Sequence, residues 1–167
     1  MAREAIPRGV DVAAFALSVG VCLLAGVIGS YFTIPSIATW YTTLQKPFFS
    51  PPSWVFAPVW TTLYILMGIA LWLVWREWIS TENRNVRLAF TLFFTQLGLN
   101  VLWSFLFFGL RSPLAGMIGI IVLWIAILAT IVVFFRISRT AGLLLIPYIA
   151  WVTAASALNF GVLVLNP

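Results

Sequence analysis

Residues 113–135 read PLAGMIGIIVLWIAILATIVVFF, and the next residue is Arg136. Nothing in this stretch ionises. Wound as an α-helix at about 1.5 Å per residue it outreaches a hydrocarbon core of about 30 Å, and Pro113 suits its first turn. Four more stretches of this kind flank it: about 12–34, 58–75, 88–110 and 142–165. All four acids (Glu4, Asp11, Glu77, Glu82) and all nine bases (Arg3, Arg8, Lys46, Arg76, Arg84, Arg87, Arg111, Arg136, Arg139) lie outside these stretches or at their ends. A charge at the bilayer centre costs about 2.5–3.5 kcal/mol or more, so this spacing is what membrane spans require. Barrel strands would instead alternate in polarity over about ten residues. The reading is an all-α membrane protein, a five-transmembrane-helix bundle forming a single domain over 1–167, with Asp11 placed to cap the first helix.

Composition agrees. Hydrophobic residues make up 63% and charged residues 8%, with mean hydropathy +1.10, against about 45–50% and about 25% in soluble domains. One cysteine and no histidine exclude a disulfide within the chain and an ordinary His/Cys metal site. The net charge of +5 comes from segment ends, so it reads as a topology signal and not as a nucleic-acid surface. Arg3, Arg8, Arg76, Arg84, Arg87, Arg136 and Arg139 fall on one side, and only Lys46 and Arg111 on the other. In a prokaryotic plasma membrane that asymmetry puts the N-terminus in the cytoplasm and the C-terminus outside.

The connection at 35–57 is too long for a bare turn. It carries Trp40, Tyr41, Phe48, Phe49 and Trp54, with prolines at 47, 51 and 52 and room for a helical turn within 38–45. Two readings stand: a lid over the bundle, or aromatics anchored in the headgroup layer.

Gln96, Asn100 and Ser104 recur at i, i+4, i+8 on the third span, bordered by Trp103. Tyr148, Trp151, Ala155 and Asn159 share one face of the fifth. Amides facing lipid would be left unpaired, so both faces should point inward. They serve either interhelical hydrogen bonding or a pocket for an apolar, aromatic ligand. Small residues at Ala16 and Gly20, at Cys22, Gly26 and Ser30, and at Ala115 and Gly119 allow close helix approach, within the chain or in a homodimer. No span holds a His, Glu, Asp or Lys, so hydrolase chemistry and carboxylate proton relays have no footing.

One set of motifs is more specific. Trp40-Tyr41-x-x-Leu44-x-Lys46-Pro47-x-x-x-Pro51-Pro52, then Ala57-Pro58-x-Trp60-x-x-Leu63-Tyr64 and Met67-Gly68, resemble the TspO/MBR family of translocator proteins and tryptophan-rich sensory proteins. The likeness continues at Gln96-Leu97-x-Leu99-Asn100, Phe107-Phe108-Gly109 and Pro147-Tyr148-x-x-Trp151, with Ala155 and Asn159. The resemblance implies a membrane binding protein, usually dimeric. Its ligand would be protoporphyrin IX or haem, a sterol-like lipid or another apolar small molecule, in a pocket closed by the 35–57 loop. Tyr41, Trp60, Asn100, Trp151 and Ala155 match ligand-contacting positions of the family. Trp60 and Trp151 match the pair tied to light-dependent breakdown of protoporphyrin IX. Trp54, Gln96, Trp103, Tyr148 and Asn159 complete the candidate ligand-binding set. Sensing, photochemical degradation and carriage of tetrapyrrole or lipid are the roles implied.

Three departures qualify the match. Leu158-Asn159-Phe160 is followed by neither the Tyr nor the basic residue of the animal cholesterol pattern. Gly119 replaces an acidic residue common in span four, and Phe49 a common Trp. The absent animal pattern favours a microbial member.

Overall fold

The computed structural model describes residues 6–81 and 85–167; Arg3, Glu4, Glu82 and Arg84 lie outside them. Its helices in chain order are α1 (Arg8–Ala38), α2 (Trp40–Thr43), α3 (Phe56–Thr81), α4 (Asn85–Ser104), α5 (Pro113–Ile137), α6 (Arg139–Leu144) and α7 (Ile146–Leu165). A one-turn 3₁₀ segment, Ser53–Val55, leads into α3, and a π-helical turn, Phe105–Gly109, ends α4. Among the described residues, five helical stretches are long and apolar enough to span a membrane: α1, α3 with its 3₁₀ turn, α4 with its π turn, α5, and α6 with α7. The protein is therefore a multi-pass membrane protein.

Several expected boundaries are overrun, at both ends of α1 and α3, at the start of α4 and of the fifth span and at the end of α5, because helical geometry continues through polar ends that hydropathy excludes. Pro35, expected to open the loop, lies inside α1. It removes one backbone donor near the helix end, where the loss is tolerable. The fifth span breaks at Leu145, just before Pro147 occupies the first turn of α7. Asp11 does not cap α1: it lies within the first turn, and Pro7 is the capping residue. Its carboxylate instead reaches α3, accepting from Trp72 Nε1 at 3.0 Å and pairing with Arg76 Nε at 3.5 Å.

Around the bundle α1 packs on α3, α3 on α6, α7 on α5, α5 on α4, and α4 back on α1. Small residues set the closest approaches. A Cβ on Gly68 of α3 would stand 2.5 Å from the Val19 backbone of α1, and one on Gly26 would stand 2.6 Å from the Tyr64 ring. Much of the small-residue stripe thus serves packing within the chain, while Ala16 and Gly20 stay exposed. At the end holding Asp11 and Arg76 the interior is solid: Met67, Val74, Val86, Phe93, Ile127 and Phe134 are all buried. One cavity lies nearer the 35–57 loop, and an outer groove along Ala14, Leu71 and Phe94 lies at the Asp11 end.

Candidate functional site

On α3, Trp60 and Tyr64 are one turn apart and share a face, with rings stacked 5.7 Å apart. Opposite them α4 contributes Trp103, 6.3 Å from Trp60 and itself stacked 5.8 Å from Phe107. On the third side α1 has no bulk at Gly26 and Gly29, where a Cβ would meet the Tyr64 ring or the Ser104 hydroxyl. Two aromatic helices facing a glycine-notched one leave a cavity of about 470 Å³. Trp60, Tyr64, Trp103, Ser104 and Phe108 line its inner wall, with Ser53 and Phe56 at one end.

No charged side chain lines it. The hydroxyls of Ser30, Thr33 and Thr61 donate to carbonyls of their own helices, at 2.7, 3.0 and 2.8 Å from Val27, Gly29 and Ala57. What remains for a ligand is apolar surface, ring faces and hydroxyl lone pairs. Such a lining suits an uncharged, largely aromatic body.

Behind this wall runs a buried polar chain. Tyr64 donates its hydroxyl to Asn100 Oδ1 at 2.5 Å, and Asn100 Nδ2 donates to the Tyr148 hydroxyl at 3.0 Å, tying α3, α4 and α7 together. Trp103 Nε1 donates to Asn159 Oδ1 at 3.4 Å, and Asn159 Nδ2 to the Pro113 carbonyl at 2.8 Å. Both polar faces expected to point inward do so. Asn100, Tyr148 and Asn159, however, spend these bonds on other helices. Gln96 is 1% exposed, and neither its amide oxygen nor its amide nitrogen has a partner among the described residues.

Of the ten candidate ligand-binding residues, Trp60 and Trp103 reach the cavity. Trp151 packs edge-on to Phe56 at 5.9 Å, with its indole N–H buried and without a partner among the described residues. Ala155 is buried on α7 outside the lining. Tyr41 is buried against Phe107 and Phe108, with Lys46 4.5 Å above its ring, and burial pushes its phenol above its ordinary pKa. Trp54 is 73% exposed and stands apart. Tyr64, Ser104 and the α1 glycines were not singled out as ligand contacts. Tyr64 had a legible signal, one turn after Trp60 on the same face.

The 35–57 loop lies mainly over other ground. Gln45 N–H donates to Asn166 Oδ1 at 3.0 Å, and Asn166 Nδ2 returns a bond to the Gln45 carbonyl at 2.9 Å. Pro47 sits on Gly161 so closely that a Cβ there would be 2.4 Å from Pro47 Cγ. The loop is thereby fastened to the end of α7.

Comparison with known proteins places this architecture. The TspO/MBR family model matches residues 18–165. The chain is 51% identical over 144 residues to the tryptophan-rich protein TspO of Archaeoglobus fulgidus, covering 86% of this chain and 91% of that one. It is 50% identical over 153 residues to the protein of the same name from Chlorobaculum tepidum, covering 91% and 95%. It is 40% identical over 134 residues to the human translocator protein, covering 80% and 78%. A family match across nearly all of the chain, together with a five-span helical bundle, shows that this protein belongs to the TspO/MBR family.

Proposed function

We propose that the protein is a membrane binding protein for protoporphyrin IX or a related ligand with a planar, apolar ring, the ring held in the cavity between α1, α3 and α4 and a porphyrin's two propionates left outside its uncharged lining. The observation that carries this reading is the wall formed by Trp60, Tyr64 and Trp103 around about 470 Å³ of uncharged space. Offset ring contacts are worth about 0.5–1.5 kcal/mol each beyond area burial. Trp60 and Trp103 are therefore the main aromatic anchors. Asn100 acts through Tyr64, by fixing its ring, more than by touching the ligand itself. The protein serves as a sensor of its ligand, or as a carrier that exchanges it with one region of the bilayer, in the prokaryotic plasma membrane with the N-terminus cytoplasmic; the exposed Ala16 and Gly20 are where a second copy would pack.

The test is titration of purified protein with protoporphyrin IX in the dark, followed by tryptophan quenching. Saturable quenching that weakens about tenfold in Trp60→Ala and Trp103→Ala is expected, each equivalent to about 1.4 kcal/mol. Linear quenching insensitive to both substitutions would defeat the reading. A second, photochemical reading draws on the same geometry, because the Trp60 ring stands in the cavity wall. Illumination of the complex should then yield a new absorbing product in the wild type and none in Trp60→Phe.

A further inference from the structure

We propose that the cavity exchanges its ligand sideways with the bilayer, through a mouth between α1 and α3, and not by lifting the Gln45–Pro47 part of the loop off α7. This rests on the binding reading above. The lips of the mouth are Val27 and Ile34 on α1, 65% and 66% exposed, and Ala57 and Thr61 on α3, also exposed. These positions lie on two membrane-spanning helices, so the medium they meet is lipid. They carry no charge, and the Thr61 hydroxyl is already bonded within its helix. An apolar molecule dissolved in the membrane can cross this rim without desolvating an unpaired polar group.

In the other two directions the chain is fastened or filled. Toward the loop, the reciprocal Gln45–Asn166 bonds and the Pro47–Gly161 contact fasten the chain to α7. The Ser36 hydroxyl bonds the Phe108 carbonyl at 2.6 Å beneath it. Toward the opposite end, Met67, Phe93 and Phe134 fill the bundle with no accessible surface. One side of the cavity is left open, and it faces lipid. The partner this geometry fits is a ligand that partitions into the bilayer before it binds.

The experiment uses full-length protein in lipid nanodiscs, one copy per disc, with protoporphyrin IX delivered from lipid vesicles. Association and dissociation are followed by stopped-flow tryptophan quenching. Val27→Phe and Ile34→Phe add bulk at the lips of the mouth without altering Trp60, Tyr64 or Trp103, while Asn166→Ala releases the loop. The mouth variants should slow both rates about tenfold and move Kd less than about threefold, since a gate changes rates and not end states. Asn166→Ala should leave both rates within about twofold of wild type. Saturable quenching in the mouth variants also shows that they remain folded. Faster exchange in Asn166→Ala with unchanged mouth variants would make the loop the gate and overturn the proposal. Unchanged rates in all three variants would overturn it as well. Slower exchange with two copies per disc than with one would show the mouth to be a dimer face, also against it. Absence of saturable quenching in the wild type would instead remove the binding reading itself.

Discussion

Asn100 holds two cross-helix hydrogen bonds with one side chain, accepting from Tyr64 and donating to Tyr148. Interhelical bonds in membranes average about 0.6 kcal/mol and reach about 1.7. Asn100→Leu breaks both and strands two buried hydroxyls, so a loss of roughly 1–3 kcal/mol is expected in a detergent unfolding titration. Tyr64→Phe breaks one bond and should cost about 0.6 kcal/mol by the same measure. Gln96, one turn away, has the opposite expectation because its amide lacks a partner among the described residues. Gln96→Leu should leave stability within about 0.5 kcal/mol of wild type or raise it, since a buried unpaired amide is a cost. A loss beyond about 1 kcal/mol would show that a water or ligand satisfies it. The i, i+4, i+8 spacing of Gln96, Asn100 and Ser104 made their inward direction legible in the sequence. It could not say which amide would be saturated by other helices. That depends on where Tyr64 and Tyr148 stand in neighbouring helices, which a one-dimensional pattern does not hold.

Two glycines separate packing from propensity at the level of the helix pair. Gly68 lets α3 touch the backbone of α1 at Val19, whereas nothing lies within 4 Å of a Cβ at Gly20. Gly68→Ala pushes against main chain that cannot rotate away, and overpacking of this kind costs about 1–3 kcal/mol. Gly20→Ala removes helix-breaking freedom in open space and should stabilise by about 0.5–1 kcal/mol. Opposite shifts of the thermal midpoint in a fluorescence melt check both, and equal shifts would refute the assignment of α1 to α3 packing. The existence of each span was legible, because uninterrupted apolar length has one structural use in a membrane. Their ends were less so. Pro35 signalled a stop, yet α1 continues to Ala38, because a proline near a helix end displaces only one donor. The π turn at Phe105–Gly109 had no sequence signature, and in the structure Phe105 packs on Phe32 of α1 and Phe107 lies against Gly116 of α5.

Across the whole molecule, the bundle interior is filled in the Asp11–Arg76 half, where the open space is an outer groove of about 390 Å³ along Ala14, Leu71 and Phe94, and that asymmetry bears on the carrier role. The sequence placed charges at segment ends and so disclosed the spans, but it grouped Tyr41, Trp151 and Asn100 with Trp60 around one pocket. In the structure Trp60 lines the cavity with Trp103, also a sequence candidate, and Tyr64, while the other three pack outside the lining. Cavity position depends on which neighbour is small, here Gly26 and Gly29 of α1. Passage from the cavity to the far end of the bundle would have to part Met67, Phe93 and Phe134, whose rings at 93 and 134 stack 5.8 Å apart. Opening a core of this kind forfeits contacts on the scale of a Phe→Ala truncation, about 3–5 kcal/mol for each ring displaced. Such a state would be populated below about one part in a hundred. Proteoliposomes loaded with protoporphyrin IX should therefore release it to external acceptor no faster than protein-free vesicles of the same lipid. Protein in the membrane should still bind ligand supplied to the bilayer. Protein-dependent release that Phe93→Ala accelerates would show instead that the solid half opens, and that the bundle carries its ligand from one face to the other.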